Sequence, residues 1–163
     1  MKELTHKRLI ELLSYDPLTG FFTWKIKRQS NSKIGDIAGH VLKNGYRSMR
    51  IDNQRFYAHR LTWFYMFKEW PNNQIDHINM LKDDNRISNL REANNSQNRM
   101  NRGPQKNNKS GLKGVFYYFG KWRASINLEK KKIHLGTFNS KMEAYNAYCK
   151  AAVHNYKEFA RTR

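Results

Sequence analysis

The chain has 163 residues, 39% of them hydrophobic and 13% aromatic, which is room for one ordinary domain or two small ones but not for large separate modules. Lysine and arginine number 31 against 13 aspartates and glutamates, a formal charge of +18, the electrostatic footprint of a polyanion binder. A single cysteine, Cys149, excludes an intramolecular disulfide and a multi-thiolate zinc site, and no stretch approaches the roughly 18 apolar residues of a membrane span.

Lys2 to Tyr15 sets Leu4, Leu9, Ile10, Leu12 and Leu13 at roughly helical spacing, with charges where a secretory signal would be apolar. An intracellular, non-membrane protein is therefore expected. Asp16-Pro17-Leu18-Thr19-Gly20 reads as a turn and Phe21 to Trp24 as a short strand. Gly45 to Ile51 and Arg55 to His59 flank Asp52-Asn53, a hairpin signal, and the aromatic run Leu61 to Trp70 predicts a buried helix stopped by Pro71.

Gln74 to Arg102 is crowded with asparagine, and Asn101 to Ser110 is polar, with Gly103 and Pro104, and reads as a linker. Beyond it, Trp122, Ala124, Ile126 and Leu128 alternate with Arg123, Ser125 and Asn127, the period of a half-buried strand, and Ile133 and Leu135 continue the pattern against Lys132 and His134. Ser140 with Glu143 offers a capping box for a helix whose apolar stripe runs through Ala144, Tyr148 and Ala152. Cys149 reads as a small core filler, and Asn85, Asn94, Asn95 and Asn101 read as turn or cap residues.

The chemistry is concentrated between Ile75 and Arg99. Asp76 precedes His77, Asn89 lies twelve positions beyond His77, and Asn98 nine beyond Asn89. This stretch resembles the HNH, or ββα-metal, nuclease motif in the variant whose third letter is Asn. The resemblance implies that Asp76 and Asn98 are oxygen ligands of one divalent cation, Mg²⁺ or Mn²⁺, and that His77 is the base that deprotonates the attacking water. Asn89 is expected to hold the histidine-bearing strand through backbone hydrogen bonds. His59 matches a common position upstream, and Arg60, Arg91 and Arg99 join it as expected DNA contacts.

From Ser110 to Ala160 the chain resembles the DNA-binding domain of the plant Apetala-2/ethylene-response-factor class, through Gly111, Lys113-Gly114-Val115, Gly120-Lys121-Trp122, Leu135-Gly136-Thr137-Phe138 and Glu143-Ala144. In that class a three-stranded sheet enters the major groove with a helix behind it. The expected groove-facing set is Phe116, Tyr118, Arg123, Ser125, Asn127, Lys132 and His134, with Arg123 and Asn127 able to read base edges and Lys113, Lys121, Lys130 and Lys131 on phosphates. Aromatic residues stand where the plant proteins carry base-reading arginines, and His134 replaces a tryptophan, so the plant target sequence does not carry over.

The expected fold is α+β: an N-terminal mixed region leading into a ββα-metal motif, then a small three-stranded antiparallel sheet packed on one helix. The expected domains are 1–102 (core motif 74–102), a linker at 103–110 and a DNA-binding domain at 111–163. The expected function is metal-dependent cleavage of double-stranded DNA by a homing or phage-type endonuclease, in the cytoplasm of a bacterial or phage-infected cell, with no obligate protein partner. The alternative is an inactive DNA-binding transcription regulator.

Overall fold

The computed structural model of the chain describes residues 3–27, 33–105, 107–129 and 131–162. Lys2 of the expected first helix, Lys106 of the expected linker and Lys130, assigned to phosphate, lie outside them. Two compact units emerge, Met1–Asn94 and Asn95–Arg163.

In the first unit Thr5 caps helix α1 (His6–Leu12), its side chain accepting the Arg8 N–H at 3.2 Å. The helix stops short of the leucine spacing. Leu13–Tyr15 leaves as strand β1 and pairs antiparallel with β2 (Phe22–Trp24), Leu13 opposite Trp24. The turn chemistry that follows overrides the helical period. Pro17 disfavours helical backbone at the residue before it, and the Asp16 carboxylate takes the Leu18 N–H at 2.9 Å and the Thr19 hydroxyl at 2.7 Å.

Strands β3 (His40–Val41), β4 (Arg47–Ile51) and β5 (Gln54–Tyr57) form an antiparallel sheet in that order. Asp52 and Asn53 make its tight hairpin with φ of 44° and 66°, the left-handed pair that a two-residue turn of this type requires. Helix α2 (Ala58–Phe67) begins three residues before the aromatic run predicts and ends at Lys68, whose left-handed φ of 64° breaks it ahead of Pro71. His59 therefore sits in the first turn of a helix rather than at the end of a strand. Leu9, Leu13, Phe22, Ile51 and Leu61 are among the side chains that close the core of this unit.

Strands β6 (Gln74–His77) and β7 (Leu90–Ala93) form an antiparallel pair with Asp76 opposite Arg91 and His77 opposite Leu90. The loop between them ends in a 3-10 turn at Ile87–Asn89. Helix α3 (Asn95–Asn101) comes next in the chain, which completes the ββα succession, and by compactness it groups with the second unit.

That unit carries β8 (Val115–Tyr118), β9 (Lys121–Leu128) and β10 (Lys131–Phe138) in the antiparallel order β10-β9-β8, and helix α4 (Lys141–Tyr156) packs on the sheet. The Ser140–Glu143 capping box forms in both directions, and Ala144, Tyr148, Ala152 and Tyr156 are the buried stripe. Val115, Ala124 and Ala144 centre the core, with Trp122, Leu135 and Phe138 against them. The fold is α+β, with the three-stranded sheet at the C-terminal end that the resemblance implies. The alternation is not perfect. A bulge between His134 and Gly136 shifts the register of β10, and Gly136 takes a φ of 138° there.

Candidate active site

On β6, successive residues point to opposite sides, and Asp76 and His77 have different neighbours. The Asp76 carboxylate accepts two hydrogen bonds on Oδ2 from Arg91, from Nε at 3.0 Å and Nη2 at 2.9 Å. Their side chains are only 12% and 14% exposed. Arg91, expected to contact DNA, is thus engaged by the candidate metal ligand across the strand pair, because the register sets the two residues opposite each other.

His77 is 4% exposed. Its ring lies edge-on to His59, centroids 5.3 Å apart, and 5.8 Å from Tyr46. His59 in turn lies 5.2 Å from Tyr46 and stacks on Tyr57 at 5.5 Å. Burial is the main reason the His77 imidazole sits below the ordinary histidine pKa; the hydrogen bond to Asn85 and the carboxylates of Asp76, Asp84 and Asp83 pull the other way. His59 is driven further, from 6.5 to about 3, by burial first and then by His77 and Arg60. Both rings are therefore neutral near pH 7. A neutral imidazole is the state a general base needs.

Asn89 is buried, and its amide spans the loop: Oδ1 accepts the Asn79 N–H at 3.0 Å and Nδ2 donates to the Asp84 carbonyl at 2.8 Å. The Asn89 carbonyl also takes the Ile78 N–H at 2.9 Å. These bonds tie the residues just beyond His77 to the far end of the loop. The loop is further pinned by Arg47, which grips the Asp83 carboxylate through two bonds of 2.8 Å. Lys82 reaches the Asn44 carbonyl at 2.9 Å and lies over the Tyr46 ring. Asp84 is held by Arg86 and Asn79, and its carboxyl falls to about 2, chiefly through Arg86.

Sequence reading missed Asn85. It is 0% exposed, and its amide lies between the Asp83 carbonyl and the His77 ring. The signal that could have found it is its place in the run Asp83-Asp84-Asn85, six to eight positions beyond the histidine, but an asparagine in a loop is ordinarily a turn residue.

Asn98 and Arg99 lie on α3 in the second unit, Asn98 half-buried and Arg99 exposed. The Lys113 ammonium, expected on a phosphate, instead donates to the carbonyls of Arg99, Met100 and Arg102. All three of its N–H donors are taken up at the C-terminal end of α3, and burial lowers its pKa to about 8.

On the sheet, Phe116 lies under the Lys132 ammonium at 4.6 Å and Tyr118 under the Arg123 guanidinium at 4.2 Å. Asn127, Lys132 and His134 are exposed. Ser125 is not: it is 8% exposed, a small side chain on the middle strand with His134 opposite on one side and the Gly114 carbonyl on its N–H at the other. Lys121 is bonded to the Asn139 side chain, and Lys131 is exposed. In the first unit, Arg60 extends over the Trp70 ring at 6.0 Å.

The donor chemistry fits a hard cation, since Asp76 and Asn98 both offer oxygen. Among the described residues no group of three His, Cys, Asp or Glu could hold a metal. Among those residues, too, no helix is long and apolar enough to cross a membrane.

Compared with known proteins, residues 56–100 match the HNH endonuclease family. A stretch of 41 residues is 54% identical to an ethylene-responsive transcription factor-like protein of Arabidopsis thaliana, covering 25% of this chain and 18% of that protein. The chain thus spans about a fifth of the length of this relative. No solved structure matches.

Proposed function

We propose that the chain is a divalent-metal-dependent endonuclease of the homing or phage type, hydrolysing phosphodiester bonds of double-stranded DNA. The observation that carries this reading is the HNH match, which contains Asp76, His77, Asn89 and Asn98 and runs through the loop that the Asn89 amide ties together just beyond His77. The match also bridges the division at Asn94, which supports a nuclease domain of residues 1–102 that includes α3, followed by a linker at 103–110 and a DNA-binding domain at 111–163.

Asp76 and Asn98 would hold one divalent cation, Mg²⁺ or Mn²⁺, which would supply charge neutralisation at the phosphorus and the leaving 3′ oxygen. His77, kept neutral by burial, takes a proton from the water whose oxygen attacks phosphorus. The bond from phosphorus to O3′ breaks and O3′ takes a proton from solvent, leaving a 5′-phosphate and a 3′-hydroxyl. Asn89 orders the loop and does not touch substrate. The face that carries half-buried Arg123 and exposed Asn127, Lys132 and His134 holds the duplex, with phosphates taken by lysines. One such site cuts one strand per engagement, so a monomer would nick, and a double-strand break would require a second active site or rebinding.

Incubation with long duplex DNA and Mg²⁺, with an EDTA control, tests the reading: metal-dependent breaks are expected. His77→Ala should abolish cleavage while DNA affinity stays nearly unchanged, and loss of binding in step with cutting would count against the assignment. The second reading, a DNA-binding regulator that does not cut, is favoured by the Asp76–Arg91 ion pair and by the transcription factor-like relative. Absence of cleavage on any duplex with either metal would select it.

A further inference from the structure

Asn85 is the most deeply buried polar side chain of the loop between β6 and β7, and a buried amide must find partners for both of its ends. Its Nδ2 donates to the Asp83 carbonyl at 3.0 Å. A carbonyl can only accept, so this bond decides which end of the amide carries nitrogen. The oxygen is then the atom that faces Nε2 of His77, at 3.4 Å. An amide oxygen has no hydrogen to give, so the hydrogen in this contact belongs to Nε2.

We infer that Asn85 selects the tautomer of His77, keeping the hydrogen on Nε2 and leaving Nδ1 as the basic nitrogen. A neutral imidazole carries one hydrogen, and the nitrogen without it holds the lone pair. At 3.4 Å the contact is long for an N–H···O bond, so it acts less by strength than by exclusion: a lone pair on Nε2 would face the lone pairs of Oδ1.

The support behind Asn85 explains why the amide keeps this orientation. The Asp83 residue that receives Nδ2 is itself anchored by the two bonds from Arg47. The Asn85 carbonyl accepts the Tyr15 hydroxyl at 2.9 Å, and that hydroxyl accepts the Ile87 N–H at 2.9 Å, so β1 clamps the loop on both sides of Arg86. Gly20 completes the clamp. A Cβ at Gly20 would lie 2.4 Å from the Arg86 nitrogen and 2.6 Å from the Asn85 carbonyl carbon, an approach that only glycine permits. Asn85 is thus a positioning residue, acting through His77, and the N-terminal hairpin is part of the machinery that aims the base.

The importance of this tautomer for cleavage rests on the nuclease reading; the tautomer itself does not. Long-range ¹H–¹⁵N correlation NMR on the full chain labelled at histidine, with His77 assigned from the spectrum of His77→Gln, measures it directly. The expected pattern is a protonated Nε2 and an unprotonated Nδ1, and the reverse pattern overturns the inference. Asn85→Leu, similar in size but without an acceptor, should yield a mixture of tautomers and slow single-turnover cleavage about 10- to 100-fold with DNA affinity unchanged, while Asn85→Asp, which retains an oxygen acceptor, should keep the hydrogen on Nε2. An unchanged tautomer in Asn85→Leu would also overturn it. Should Asn85→Leu fail to fold, the wild-type spectrum still decides. The expected tautomer in a protein that cuts no DNA would remove the nuclease reading and leave the assignment standing.

Discussion

His59 is held neutral at a position where the unfolded chain would readily charge it. Its pKa falls from 6.5 to about 3 on folding, so between those values the unfolded state binds more protons than the folded one. The contribution of this residue to stability is complete above about pH 6.5 and is lost as the pH falls toward 3, with a slope approaching about 1.4 kcal/mol per pH unit. Urea unfolding at about pH 5 and about pH 7 should therefore show a smaller acid loss in His59→Phe than in the wild type. Equal losses would mean that His59 accepts a proton without unfolding. At Asn89 the concern is satisfaction rather than charge. Replacing its amide in Asn89→Ala strands the Asn79 N–H and the Asp84 carbonyl, which predicts a loss of about 1–3 kcal/mol in the same assay.

At the scale of elements, short segments stand where a few contacts override their local preference. The β1–β2 hairpin exists because Asp16, Pro17 and Gly20 form its turn, and the turn packs on the backbone of the loop that carries Asn85. Gly20→Ala combines a left-handed φ of 77° with a backbone clash, so it should destabilise the first unit by about 1–3 kcal/mol, read by urea unfolding. Helix α3 has only seven residues and depends on its C-terminal end being met by a cation. Lys113→Met removes that ammonium while keeping much of the apolar stem. Hydrogen exchange of the α3 amides should accelerate, and the salt dependence of DNA binding should stay as in the wild type, because this lysine is spent inside the protein. A shallower salt dependence would return Lys113 to the phosphate-contacting set.

For the whole molecule the governing quantity is the charge of +18 on 163 residues. Binding of duplex DNA should release counterions. With about six to ten phosphates neutralised, affinity should fall by about 10³- to 10⁵-fold between about 50 and 200 mM salt. Lys132→Ala, removing one exposed cation from the sheet face, should reduce the slope of log K against log salt by about 1 and weaken all sequences alike. An effect confined to one target sequence would make Lys132 a base reader instead.

Patterns carried by neighbours in the chain were legible without coordinates, because their physics is local. The left-handed Asp52-Asn53 turn, the Ser140–Glu143 capping box and the alternation from Trp122 along β9 all depend on residues a few positions apart. The same holds for the kinds of side chain and the spacing of Asp76, His77, Asn89 and Asn98, which are properties of the sequence. Tertiary structure alone decided what surrounds them. That Arg91 lies on Asp76 follows from strand register, that Lys113 closes α3 follows from how the chain returns to that helix, and that Asn85 faces His77 follows from a loop pinned by Tyr15 and Arg47 far away in sequence. Ser125 lies on the face expected to be free, yet the strands on either side bury it. A sequence specifies which groups can bond. Burial, which sets the cost of leaving them unbonded or charged, exists only once distant segments have come together.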